Sequence, residues 1–179
     1  RIQMVVSQLK DTVVTAGGTG TYTQAPMAAL QSPEYGRATC IIIPAPEHDK
    51  PYSIPGLTTR QMEDYLNMHE GWHCIDGRYS ATDDQKEAAR NARSLADLRG
   101  NTAAQQALAV VNLQEALADV GALGDMVRAG ASPRIIRHVA AWRSGPTEMD
   151  LEHNTVPALQ ALEKHINGVG LAAFRKMDD

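Results

Sequence analysis

The apolar positions of this chain fall mostly at helical spacings, and the clearest set begins at residue 58. Thr58 and Gln61 stand in the relation of a capping box, with Leu57 and Met62 placed to staple across it. From Met62 the buried pattern runs through Tyr65, Leu66, His69, Trp72 and His73 at steps of three and four. It predicts a helix that buries this face and stops near Asp76-Gly77. A second capping box, Thr82 with Gln85, opens a strongly charged helix to about Arg99, and Gly100 ends it. Asn101 or Thr102 starts a third, apolar at Leu108, Val111, Leu113, Leu117, Val120, Leu123, Met126 and Val127, as far as Gly130. Ser132-Pro133 begins a fourth through Ile135, Ile136, Val139 and Trp142, closed by Ser144-Gly145-Pro146. The last helix starts near Asn154-Thr155 and runs to Ile166, with Gly168 and Gly170 interrupting it.

The N-terminal pattern is different. Residues 1–15 fit a helix slightly better than a strand, and Met27 to Leu30 reads as a helical turn. Between them, Ala16 to Gly20 is rich in glycine and lacks the Lys-Ser/Thr that a phosphate loop needs, so it reads as a linker. Thr39-Cys40-Ile41-Ile42-Ile43, closed by Pro44, is the best strand, and its prolines suit a sheet edge. The fold expected is mainly α with a small β element (α+β), in one compact domain. Residues 1–36 form its N-terminal region and 37–179 its main body.

Composition supports this. Aromatic residues make up only 4% of the 179 positions, so alanine, leucine and methionine must fill the core, which favours helices. A net charge of -4 with no basic run argues against a nucleic-acid surface. No uninterrupted apolar run approaches a membrane span, so a soluble protein is expected. Two cysteines, Cys40 and Cys74, make no disulfide framework, and Cys74 as a small buried thiol leans towards an intracellular setting. A start at Arg1 reads as a processed or truncated chain, so the missing signal peptide does not fix the compartment. Oligomeric state is not legible.

The chemistry centres on His69-Glu70-Gly71-Trp72-His73. Two histidines four apart on a helix project from one face and can grip one metal ion. Glu70 then stands beside the ion's open position as a base for its water. Zinc needs a third protein ligand. The short extension of the motif does not supply one, because Asp76 stands at its glycine place and Tyr79 at its third-histidine place. Glu115 and Asp119 lie one turn apart on the apolar face that carries Leu108, Val111, Ala122 and Met126. Carboxylates on such a face cost on the order of several kcal/mol unless a cation compensates them. Glu115 is the expected ligand. Asp119 is expected to accept the far ring N–H of His69 or His73.

His69-Glu70-Gly71-Trp72-His73 followed by Glu115-Ala116-Leu117-Ala118-Asp119 resembles the gluzincin group of zinc metallopeptidases. In that group a His-Glu-x-x-His helix is followed by a helix carrying Glu-x-x-x-Asp, whose glutamate is the third zinc ligand. The resemblance covers the two helices and their order. The stretch between them is wider than in the thermolysin-like type and holds the charged helix, so no subfamily is named. The resemblance implies a zincin-like fold with an edge strand before the active-site helix, along which an extended substrate adds. Thr39 to Ile43 is the candidate for it.

A transition-state donor is sought among the remaining polar groups. His153, in a loop position before the last helix, ranks first, and Tyr79 second. His138 reads as core packing or surface, and His48 and His165 as surface residues. The function expected is a zinc-dependent metallopeptidase acting on a peptide or protein substrate, with Glu70 as general base. The alternative is a non-catalytic metal-binding interaction or scaffold domain. Its site would need a fourth protein ligand, and Cys74 points about 100° away from His73. A di-iron bundle would need a second Glu-x-x-His, which the sequence lacks.

Overall fold

The computed structural model describes residues 3–6, 27–31, 39–44, 53–75, 82–91, 98–144, 151 and 153–177. Helices dominate them: α1 (Thr59–Ile75), α2 (Asp83–Asn91), α3 (Thr102–Arg128), α4 (Arg134–Arg143), α5 (Val156–Val169) and the short α6 (Leu171–Phe174). The chain is thus mainly α. The glycine-rich piece at 16–20, His48 and Tyr79 lie outside the described residues.

The starts of the helices follow local chemistry. The backbone N–H of Thr58 donates to Gln61 Oε1 at 3.0 Å, and the N–H of Gln61 donates to Thr58 Oγ1 at 3.2 Å. Thr82 and Gln85 repeat the exchange at 2.9 and 3.2 Å ahead of α2. Asn101 Oδ1 accepts the Ala104 N–H at 3.0 Å and opens α3. Each box satisfies backbone donors that a helix start leaves orphaned. At the other end of α3, Arg175 donates to the carbonyls of Val127, Gly130 and Ala131 at 3.1 Å each. The α6 end of the chain thereby stoppers α3. Gly168 does not interrupt α5. The helix runs on to Val169 and stops at Gly170, whose φ of 83° is the left-handed turn that suits glycine.

The three short strands, β1 (Gln3–Val6), β2 (Met27–Gln31) and β3 (Thr39–Pro44), pair in the order β1-β3-β2. This corrects three expectations. Gln3–Val6 and Met27–Gln31 are extended and not helical. The candidate edge strand is central, parallel to β1 and antiparallel to β2. Pro44, which suggested an edge, sits only at the end of the strand, where its missing N–H interrupts no pairing further along. Both β2 and β3 contact α1.

The core joins α1 and α3 to α4, α5 and α6 through Tyr65, Leu66, Leu123, Val127, Ile136, Val139, Leu159, Ile166 and Phe174, with Ile54 closing it ahead of α1. Fully burying each large apolar side chain contributes about 1.5–3 kcal/mol. Leu113, expected among the apolar positions of α3, is exposed. By length and composition α3 would suffice to cross a membrane, so the absence of an uninterrupted apolar run did not exclude such a span. In the structure α3 is the central helix, packed on α1, α2 and α5. The Trp72 ring of α1 packs against α3 at Gly121, where a Cβ would fall 2.3 Å from it. Its indole N–H donates to Asp125 Oδ2 at 2.9 Å. That contact fixes α1 against α3 next to the polar cluster described below.

Candidate metal centre

Successive turns of α1 and α3 bring five polar side chains into this packed interface. On α1, Tyr65, His69 and His73 recur every fourth residue and share a face. Tyr65 and His69 are buried, Glu70 is buried beside them, and the His73 side chain is 13% exposed. On α3, Glu115 and Asp119 face them, Asp119 with no exposed surface.

Three of these groups converge. His69 Nε2 and His73 Nε2 lie 3.0 Å apart, with their rings nearly perpendicular at 88°. Glu115 Oε2 is 3.2 Å from His69 Nε2, and Oε1 is 3.4 Å from His73 Nε2. A tetrahedral zinc with bonds of about 2.0–2.2 Å has ligand–ligand edges of roughly 3.3–3.5 Å. The observed separations match those edges within a few tenths of an ångström. His69, His73 and Glu115 form a set whose ligand atoms all lie within 4.8 Å of one another, and that set could hold a metal ion. Glu115 Oε2 is buried, and the Nε2 atoms of His69 and His153 approach it at 3.2 and 3.4 Å. A buried carboxylate needs cationic company, which protonated imidazole supplies without a metal and a metal ion would supply in its place. The donor set of two imidazoles and one carboxylate suits zinc.

Around Asp119 the situation is reversed. Its Oδ1 accepts from Tyr65 OH at 2.5 Å and from Arg143 Nη2 at 2.8 Å. Its Oδ2 accepts from Arg143 Nε at 2.9 Å and from Thr155 Oγ1 at 2.6 Å. His69 Nδ1 stands 2.7 Å from Oδ1, the distance of a charge-assisted pair. The ring N–H is not aligned on the oxygen, so the contact is an ion-pair distance and not a formed hydrogen bond. Once a metal displaces the Nε2 proton, this contact keeps the remaining ring proton on Nδ1 and directs Nε2 towards Glu115 and His73.

Electrostatics follow the contacts. Burial would lower the pKa of His69, but the approach of the Asp119 and Glu115 carboxylates overrides it and pushes the metal-free imidazole up to about 10. Burial opposes ionisation of Glu115 too, yet His69 and His73 hold its carboxyl well below the usual range. Asp119 is also held low against burial, by His69 and Arg143. Tyr65 is raised well above an ordinary phenol by burial and by the Asp119 charge. It therefore stays a neutral donor.

His153 lies in the loop ahead of α5, with Nε2 3.4 Å from Glu115 Oε2. Asn112, one turn before Glu115 on α3, donates to the carbonyls of Leu151 at 3.4 Å and Asn154 at 3.0 Å. Thr155 ties the other side of that loop to Asp119. Thr155 is the N-cap residue of α5, yet its hydroxyl does not cap the helix; it is spent on the carboxylate. His138 is half-buried against Gly56, and His165 is exposed, with its ring against Phe174.

Of the residues singled out in the sequence, His69, His73, Glu115, Asp119 and His153 are brought together, and Glu70 is buried next to His69 along α1. Tyr79 lies outside the described residues. Arg143, Thr155, Tyr65 and Asn112 are additional. Two of them had a legible signal. Tyr65 precedes His69 by one helical turn, and Arg143 follows the buried Val139 by one turn, on the inward face of α4. Comparison with protein-family models, with curated proteins and with solved structures returned no match.

Proposed function

We propose that the chain is a zinc-dependent metallopeptidase, with His69, His73 and Glu115 holding the ion and Glu70 as general base. The observation that carries the reading is the convergence of two imidazole Nε2 atoms and one carboxylate at 3.0–3.4 Å, with a buried glutamate adjacent on α1. It agrees with a zincin-like reading of the helix pair. When bound, zinc supplies Lewis acidity and brings the pKa of a water towards ~7. The residues of the chain do the rest. His69 presents Nε2 because Asp119 engages Nδ1. The Glu70 carboxylate takes the proton from the attacking water and passes it to the leaving amine. His153, whose Nε2 lies 3.4 Å from Glu115 Oε2 with the side chain 32% exposed, would donate to the oxyanion that forms on the substrate carbonyl.

The test is cleavage of an unfolded protein by the zinc-loaded chain. Activity should be blocked by a chelator and restored by zinc. Glu70→Gln should retain the metal and lose turnover by a factor of roughly 10² or more, the scale of general base catalysis. Equal turnover in Glu70→Gln would rule the mechanism out.

A second reading rests on His153. Its 3.4 Å approach to Glu115 Oε2 would allow that imidazole to swing in as a fourth protein ligand. A centre closed in this way is structural, as in a metal-stabilised interaction domain. The cobalt-substituted protein separates the two. Exchangeable water on the ion supports the peptidase; four protein ligands and no activity support the scaffold.

A further inference from the structure

We propose that Arg143 is a positioning residue of the metal centre, acting through Asp119 on His69. The inference rests on reading His69, His73 and Glu115 as a zinc site. It adds a residue from α4, an element that carries none of the ligands.

Among the described residues, Arg143 alone bonds both oxygens of Asp119: Nη2 reaches Oδ1 at 2.8 Å, and Nε reaches Oδ2 at 2.9 Å. Tyr65 and His69 approach Oδ1 only, and Thr155 approaches Oδ2 only. Tyr65 and Thr155 each hold one oxygen, but through rotatable hydroxyls on separate elements. A planar fork with one prong on each oxygen fixes the carboxylate plane as a single rigid unit. That plane sets where Oδ1 lies, and Oδ1 is the atom 2.7 Å from His69 Nδ1. Arg143 Nη2 also donates to Tyr65 OH at 3.1 Å, so it steadies the phenol that shares Oδ1 with His69.

The guanidinium is itself held. Its side chain is 8% exposed, and its Cζ stands 4.8 Å from the Trp142 ring centroid. A buried arginine with both ends engaged has little freedom to lose when a metal binds, which is what pre-organisation of a ligand shell requires. Lysine would bring the charge to the same place without the fork. Charge and geometry are therefore separable.

The experiment measures zinc affinity by chelator competition, and the absorption spectrum of the cobalt-substituted protein, for the full chain and four variants. These are Arg143→Lys, Arg143→Met, Asp119→Asn and the Arg143→Met/Asp119→Asn double variant. Thermal melts show which of them fold. The wild type should bind one zinc. Arg143→Lys and Arg143→Met should each bind roughly tenfold more weakly, at the lower end of the ~10–100-fold range for residues behind a ligand. Their cobalt bands should shift. The double variant should bind no more weakly than Asp119→Asn alone, because the two residues act in series. Wild-type affinity in Arg143→Lys overturns the proposal, since charge alone would then suffice. Fully additive losses in the double variant overturn it too. If Arg143→Met fails to fold, Arg143→Lys decides. A wild-type chain that binds no zinc brings down the centre and this role with it, whereas unaltered binding in the folded variants brings down this role alone.

Discussion

Glu115 and Asp119 are acidic residues one turn apart on the same face of α3, yet their surroundings are opposite. Asp119 has no exposed surface, and its two oxygens are shared among Tyr65, Arg143, Thr155 and His69. Tyr65, Arg143 and Thr155 donate four hydrogen bonds to it, matching the roughly four lone-pair positions of a carboxylate, and His69 Nδ1 stands 2.7 Å from Oδ1 as a charge contact. Glu115 is 14% exposed and faces three imidazoles at 3.2–3.4 Å. One carboxylate is tied to arginine, tyrosine and threonine; the other faces only groups that can also bind a metal. On the proposed reading the first is a brace and the second a ligand, and the contrast can be broken by removing either one.

Removing the brace should have the larger effect on folding. Asp119→Ala leaves Arg143 buried without its carboxylate, a loss of about 3–5 kcal/mol when one partner of a buried pair is taken away. Urea unfolding of the metal-free protein measures it. A cost below about 1 kcal/mol would mean that the Asp119 cluster is not the joint between α1, α3, α4 and α5. Removing the ligand should act on the metal instead. Glu115→Ala should weaken zinc binding by more than ~100-fold, beyond the range for residues behind a ligand. It should cost the metal-free fold less than Asp119→Ala does. Zinc content after dialysis checks the first half and the urea midpoint the second.

Acid sharpens the same contrast. The Asp119 carboxyl is held well below the usual range because pairing with His69 and Arg143 outweighs burial. A group depressed in the folded state contributes stability that is present above its unfolded value of ~3.9 and is lost as pH falls below it. The metal-free wild type should therefore lose stability between about pH 5 and pH 2. Asp119→Asn should be flatter over that interval, and equal slopes would contradict the assignment.

Smaller effects belong to the frame. Gly121→Ala drives a methyl into the Trp72 ring and should cost about 1–3 kcal/mol as overpacking. Zinc affinity should fall with it, because α1 must move off α3. Thr58→Ala removes half of a capping box and should cost about 1 kcal/mol. Its zinc affinity should stay unchanged, which shows that α1 can be weakened at its start without disturbing His69 and His73.

Much of the site was legible because its signals are local. The Thr58-Gln61 box, the spacing from Tyr65 to His73 and the pairing of Glu115 with Asp119 each lie within one helix. The order of the strands was not legible, since no local pattern says that β3 lies between β1 and β2. The brace was half legible. A buried Asp119 calls for a cation by its desolvation cost alone. Which cation serves depends on how α4 packs, and Arg143 is supplied from 24 residues further along the chain. Thr155 was legible as a helix start but not as a donor to Asp119. Tertiary packing took its hydroxyl away from the cap.

The most direct measurement is anomalous scattering at the zinc edge from crystals of the chain grown with one equivalent of zinc. One ion should appear within roughly 2.0–2.2 Å of His69 Nε2, His73 Nε2 and a Glu115 carboxylate oxygen. No ion at that position, or an ion held by other side chains while Glu115 stays clear of it, would contradict the assignment of Glu115 as the ligand and Asp119 as the brace.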